Sequence, residues 1–247
     1  MRISMFSIPT LGAAVLFGQP AFEVASIRLT TSNELGGVHN YPGGRVGFRG
    51  CTVEYLIQQA FNIQRFEVSG GPPWIRSDRY DIDTKPPDFA KSKESMPPYQ
   101  KVPINAEQRQ MLQALLVDRF GLHFHRETRE VAVYLLEKGT KPLKWTDSKD
   151  KNEYPWAGVA GDGLRGENEN MPDLAWRLSE MLARPVIDKT GIAGSYDFMI
   201  SYAPGEEHTD TIAAIQATIH ELGLKLEQSK GPVDVIVIES VAKPSEN

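Results

Sequence analysis

Apolar and polar positions alternate along FEVASIRL (Phe22–Leu29), the two-residue period of a half-buried strand. Thr30–Gly44 is polar and glycine-rich and reads as a loop, and Arg45–Gly50 as a second short strand. At Thr52 the period changes. Val53, Leu56, Ile57, Ala60 and Phe61 form one apolar stripe of a helix that Thr52 caps. Phe66–Ser69 reads as extended, Gly70–Pro73 as a rigid turn delivering Trp74, and Arg79–Lys85 (RYDIDTK) as a strand. Five prolines between Pro86 and Pro103 rule out a helix interior and predict an extended surface loop. Asn105 then caps a second helix and Gln108 completes a capping box. Met111, Leu112, Leu115, Leu116 and Phe120 are its buried face, and Gly121 stops it. Leu122–Thr128 and Glu130–Lys138 read as the two arms of a hairpin.

The second half replays this order. Lys141–Glu153 is a hydrophilic connector, so the expected organisation is a first unit over residues 20–140, a linker over 141–160 and a second unit over 161–247. Gly163–Glu167 predicts a strand, and Met171–Leu182 a helix carrying Leu174, Leu178, Met181 and Leu182. Pro185–Asp188 and Tyr196–Tyr202 read as extended, Thr211–Leu222 as a helix, and Lys243–Asn247 as a frayed tail. FGLHFHRETREVAVYLLE recurs as LGLKLEQSKGPVDVIVIE at an offset of 102 residues, with Gly121 on Gly223, Val131 on Val233 and Glu137 on Glu239. Tyr196-Asp197 answers Tyr80-Asp81 at an offset of 116. In the second long helix the match weakens, because Ile212, Ile215 and Ile219 fall on Gln110, Gln113 and Val117. Each half reads β-α-β-β-α-β-β. The expected fold is α+β: two tandem related units with mostly antiparallel sheets and helices packed on one face.

Composition narrows the function classes. With 27 basic and 32 acidic side chains the formal charge is −5, against the concentrated basic face of a nucleic-acid binder. Arg2 followed by the apolar run Ile3–Phe17 reads as an export signal over residues 1–19, too short for a span of a roughly 30 Å hydrocarbon layer. A retained anchor or a buried N-terminal helix is the alternative. With the signal removed, no membrane span is expected and the location is periplasmic or extracellular. Cys51 is the single cysteine, so no intrachain disulfide forms, and it reads as a small residue at the mouth of a helix.

Candidate chemistry is sparse. His123, His125 and Glu127 alternate on one strand face, and two imidazoles with a carboxylate are donors of the kind a divalent metal takes. The matching positions of the second half are Lys225, Glu227 and Ser229, which favours a solvated face. His220-Glu221 lacks the second histidine of a helical metalloprotease motif, and no nucleophile elbow, phosphate loop or dinucleotide glycine pattern occurs. Asp81 and Asp83 share a strand face and are expected to pair with Arg79, paired carboxylates for acid–base work being the alternative. Trp74 reads as a partner-binding anchor or a lid on the core. Trp74, His123, His125 and Glu127 are therefore the candidate ligand- or partner-binding residues, with no catalytic residue, metal or cofactor assigned.

The ordered runs FEVASIR, VSGGPPWIRSDRYDI, LLVDRFGLHFHRETREVAVY, RPVIDKTGIAGSYDF and GLKLEQSKGPVDVIVIESVAKPSEN resemble the large paralogous family of uncharacterised exported proteins of soil acidobacteria. The resemblance covers Phe22–Asn247 and implies an envelope or extracellular protein. Relatives of this domain are also fused to antibiotic-sensing membrane metallopeptidases, which implies a sensory or binding role; no catalytic residues come with it. More loosely, the small β-α-β units resemble the short N-terminal domains of secretins and TonB-dependent receptors, a likeness of fold alone. The expected function is a non-catalytic envelope module that recognises a protein or peptide through a cleft or a sheet edge. The alternatives are a metal-dependent or hydrolytic enzyme using His123 and His125, and a self-associating structural protein.

Overall fold

The computed structural model of the chain describes residues 20–30, 36–87, 104–149, 156–160, 163–201 and 211–244. The expected export segment and most of the proline loop lie outside them. The strands are β1 (Val24–Leu29), β2 (Gly37–Asn40), β3 (Val46–Thr52), β4 (Val68–Gly70), β5 (Arg79–Lys85), β6 (His123–Lys138), β7 (Thr146–Asp147), β8 (Trp156–Ala160), β9 (Gly163–Glu169), β10 (Val186–Asp188), β11 (Tyr196–Ser201) and β12 (Leu224–Ser240). The helices are α1 (Val53–Phe61), α2 (Ala106–Phe120), α3 (Met171–Leu182) and α4 (Thr211–Glu221). The fold is α+β, and every strand pairing is antiparallel except β4 on β12 and β10 on β6. No described helix is long and apolar enough to cross a membrane.

Local chemistry sets the helix boundaries. Thr52 Oγ1 accepts from Tyr55 N at 3.2 Å. Asn105 Oδ1 accepts from Gln108 N, and Gln108 Oε1 from Asn105 N, both at 2.8 Å, the reciprocal box expected for α2. Asn170 does the same duty for α3, accepting from Asp173 N at 2.9 Å. Gly121 ends α2 at φ +55°, a conformation glycine adopts without a Cβ penalty. All five expected core residues of α2 are buried. Of the stripe assigned to α3, Leu174, Leu178 and Leu182 are buried, whereas Met181 is exposed. The second long helix buries Ile215 and Ile219 and exposes Ile212.

The two expected hairpins do not form. His123–Lys138 and Leu224–Ser240 are each one unbroken strand, of 16 and 17 residues, and they pair with each other. Gly231-Pro232 reads as a turn, yet Gly231 has no left-handed φ. It is small because a Cβ there would stand 3.2 Å from Ile187 Cδ1 and 3.4 Å from Val133 Cγ2. Pro232 is tolerated because β4 covers β12 only over Ile236–Ile238, so no described strand on that side is waiting for its missing N–H. The loop expected over Thr30–Gly44 holds β2, and residues 141–160 hold β7 and β8.

The register of the long pair sets Glu130 opposite Pro232, two residues that are also 102 positions apart. Each strand is flanked by a short parallel strand from the other half of the chain: Val68 lies beside Ile236, and Val186 beside Tyr134. The central sheet is therefore β10-β6-β12-β4. The two outer sheets run β1-β5-β3-β2 and β7-β11-β9-β8, so corresponding strands take corresponding places. Small details follow suit. Gly50 N donates to Asp81 Oδ1 and Asn168 N to Asp197 Oδ1, each at 2.8 Å and each from a residue with φ above +50°. Thr30 N donates to Arg79 O, and Ser148 N to Ser195 O, both at 2.9 Å.

Even-numbered positions of the long pair feed two cores. Ile238 and the partly buried Phe124 join Phe48, Leu56, Ile82, Leu112 and Phe120, while Tyr134, Leu136 and Leu224 join Leu174, Leu178, Phe198 and Ile219. Leu115→Ala, deep in the first core, is expected to cost about 2–5 kcal/mol, read as a lowered urea midpoint with an unchanged slope.

Candidate functional site

The predicted histidine face is solvent-exposed. His125 Nδ1 stands 2.8 Å from Glu239 Oε1, with both side chains about half exposed. Glu127 is turned to its neighbour, accepting from Arg129 Nε and Nη2 at 3.1 Å each, and these bonds hold its carboxyl below the ordinary range. His123 lies at the strand end opposite Ser240, where the register slips. Among the described residues no three His, Cys, Asp or Glu side chains are grouped to hold a metal ion. At the other end of the ribbon Lys225 bridges Glu137 at 2.7 Å and Glu227 at 2.9 Å. Both ends thus carry solvated ion pairs, which contribute little each.

Trp74 packs against the first core, half-buried, with Lys243 Nζ over its ring at 5.6 Å. Lys243 also bonds Asp78 Oδ2 at 2.6 Å, so the segment expected to fray is pinned at Lys243. Asp83 pairs with Arg28 and Arg49, and Asp81 holds the β3 bulge at Gly50.

A different place stands out once the two outer sheets are compared. In the first, β1 covers β5 along its whole length, from Leu29 opposite Tyr80 to Val24 opposite Lys85. In the second, β7 covers β11 only at Asp147–Tyr196 and Thr146–Asp197. Before Thr146 the chain peels away, because Lys144 N donates to Leu222 O at 3.2 Å and the Lys141 and Lys144 ammoniums both clasp Glu221. Those two bonds pull the Glu221 carboxyl down to about 2. Phe198–Ser201 consequently has no partner strand on that side among the described residues. Ser195 O faces this edge, and the two-residue alternation puts the N–H and C=O of Met199 and Ser201 there as well. Beside it lies an open cleft of about 720 Å³ bordered by Leu143, Trp145, Arg165, Glu167, Phe198 and Met199. Trp145 rests on Tyr196 with ring centroids 5.1 Å apart. Met199 is 50% and Leu143 42% exposed, unusual for apolar side chains of their size beside a free edge.

Residues 54–241 match the family described as "Protein of unknown function (DUF3738)", well over half of the chain. The protein is a member of that family. No curated protein and no solved structure matches it. Within the DUF3738 match lie β11 and the whole cleft, whereas β1–β3 precede it.

Two further titratable groups are buried. Glu169, at the end of β9, is fully buried, with Oε1 accepting from Arg177 Nε at 2.9 Å and Oε2 without a partner. Burial pushes its carboxyl up to about 7, with Arg177 opposing. Cys51 is buried between β3 and α1, and burial pushes its thiol up to about 12. Sequence reasoning missed the open edge because edges are a property of pairing, and β7 carries no apolar alternation to reveal it.

A carboxyl raised from 4.5 to about 7 on folding contributes stability that is complete below about pH 4.5 and lost as pH rises through 7. Glu169→Gln is therefore expected to gain on the wild type between pH 5 and pH 8 in urea titrations; a constant difference would contradict this. Cys51 is expected to resist a thiol reagent in the native state and to react fully in denaturant, because the thiolate is the reactive form.

Proposed function

We propose that this protein is a non-catalytic binding module of the cell envelope that takes up an extended polypeptide as an added strand along β11. The observation that carries the reading is the edge from Phe198 to Ser201, which no strand among the described residues covers, at the place that β1 fills in the other half. Strand addition draws its affinity from main-chain hydrogen bonds and its specificity from pockets for alternate side chains. The cleft beside Met199 supplies such a pocket, with Trp145 and Leu143 as its apolar walls. The apolar run at the start of the chain, and the resemblance to exported acidobacterial proteins, support an envelope location. The shared strand order supports reading the two halves as copies of one ancestral unit, the second having shortened the strand that closes its sheet. Against a metal or hydrolytic reading stands the separation of the three side chains, since Glu239 pairs with His125 and Arg129 with Glu127.

The test uses residues 20–247 and the peptide PAFEVASI, the chain's own Pro20–Ile27, which ends where β7 begins to occupy the edge. Fluorescence anisotropy is expected to show saturable binding, with NMR amide shifts centred on β11. Met199→Pro deletes an outward N–H, and N-methylation of the peptide serine deletes its complement; each is expected to weaken binding at least about tenfold, one to two hydrogen bonds' worth. Binding that ignores both changes, or shifts that avoid β11, would refute strand addition.

A further inference from the structure

We infer that the strand accepted at β11 is chosen for an uncharged, apolar side chain at the residue opposite Met199, so that the partner is an apolar extended segment of another polypeptide and not a basic tail. The inference rests on the strand-addition reading and specifies its ligand. In the first half the register sets Ser26 opposite Asp83, and Asp83 is the hub of an ion-pair cluster, with Arg28 Nη2 at 3.5 Å and Arg49 bonded directly. The offset of 116 that carries Tyr80-Asp81 onto Tyr196-Asp197 carries Asp83 onto Met199. The residue opposite Asp81 is Arg28, and the residue opposite Asp197 is Thr146. The acid and its strand-borne cation are thus replaced by a thioether and a hydroxyl.

Cations outnumber acids around the cleft, with Lys144, Lys149 and Arg165 against Glu167 and Asp197. Asp197 Oδ1 accepts from Asn168 N at 2.8 Å, and Glu167 bonds Arg165. A lysine or arginine brought opposite Met199 would lose hydration and find its nearest carboxylates occupied, whereas an aliphatic side chain would remove Met199 and Leu143 from water. The outer face that is ion-paired on β5 is built on β11 to meet an apolar strand.

The experiment compares PAFEVASI with its Ser26→Leu and Ser26→Arg versions, each titrated against the wild type and against Met199→Asp, which restores the first-half residue. For the wild type the leucine peptide is expected to bind about fivefold tighter than the serine peptide, the gain from half-burying one aliphatic side chain, and the arginine peptide weakest. For Met199→Asp the order is expected to invert, with arginine tightest. A Met199→Thr variant checks the same point without adding charge and is expected to flatten the preference. If all three peptides bind equally well while shifting β11 amides, strand addition stands and the selectivity is overturned. An unchanged order in Met199→Asp overturns the selectivity too. If no peptide binds, both fall.

Discussion

Everything else in this molecule hangs on the antiparallel pairing of β6 with β12. Two strands of 16 and 17 residues, far longer than most, form the spine of the central sheet, and their register is centred on Glu130 and Pro232. Because side chains alternate, a slip of one residue would turn Ile238, Tyr134, Leu136 and Leu224 out of their cores together. The same register lets each long strand carry a short parallel strand from the other half, so that neither half's central strand is complete without its counterpart. The two hydrophobic cores sit at opposite ends of one face of this ribbon, and the charged stretch between them is left to water.

Much of the fold was legible in the residues. Helix starts were readable because Thr52 and Asn105 with Gln108 satisfy orphan N–H groups by chemistry that is local in sequence. Strands β1, β3, β5 and β11 were readable from alternation and from the Tyr-Asp pair. The long strands read as hairpins because their middles are polar, as at Thr128-Arg129-Glu130, whereas the pairing that keeps each one straight is with a strand about a hundred residues away. The strand β2 escaped notice within a glycine-rich stretch, since its pairing with β3 is a tertiary matter.

The candidate site was much less legible. The histidine face drew the eye because its residue types carry chemistry, yet its geometry is that of a solvated strand end with small ion pairs. Trp74 packs half-buried against the first core, with Lys243 over its ring. The two outer sheets share a strand order but differ at one edge: β1 closes one along its length, and among the described residues β7 closes two residues of the other. The clasp of Lys141 and Lys144 on Glu221 draws the chain off the edge, and the apolar pair Met199 and Leu143 stands where the first half keeps an ion-paired acid. One outer sheet is closed along β5, and among the described residues the other is closed along β11 only in part.

Amide hydrogen exchange measured residue by residue tests the difference between the sheets most directly, because it reads main-chain pairing and nothing of the ligand. The account predicts that the N–H groups of Met199 and Ser201 exchange at least about a hundredfold faster than those of Asp83 and Lys85, which point at β1. Equal, slow exchange at both edges would mean that β11 is already closed, and the binding site described here would not exist.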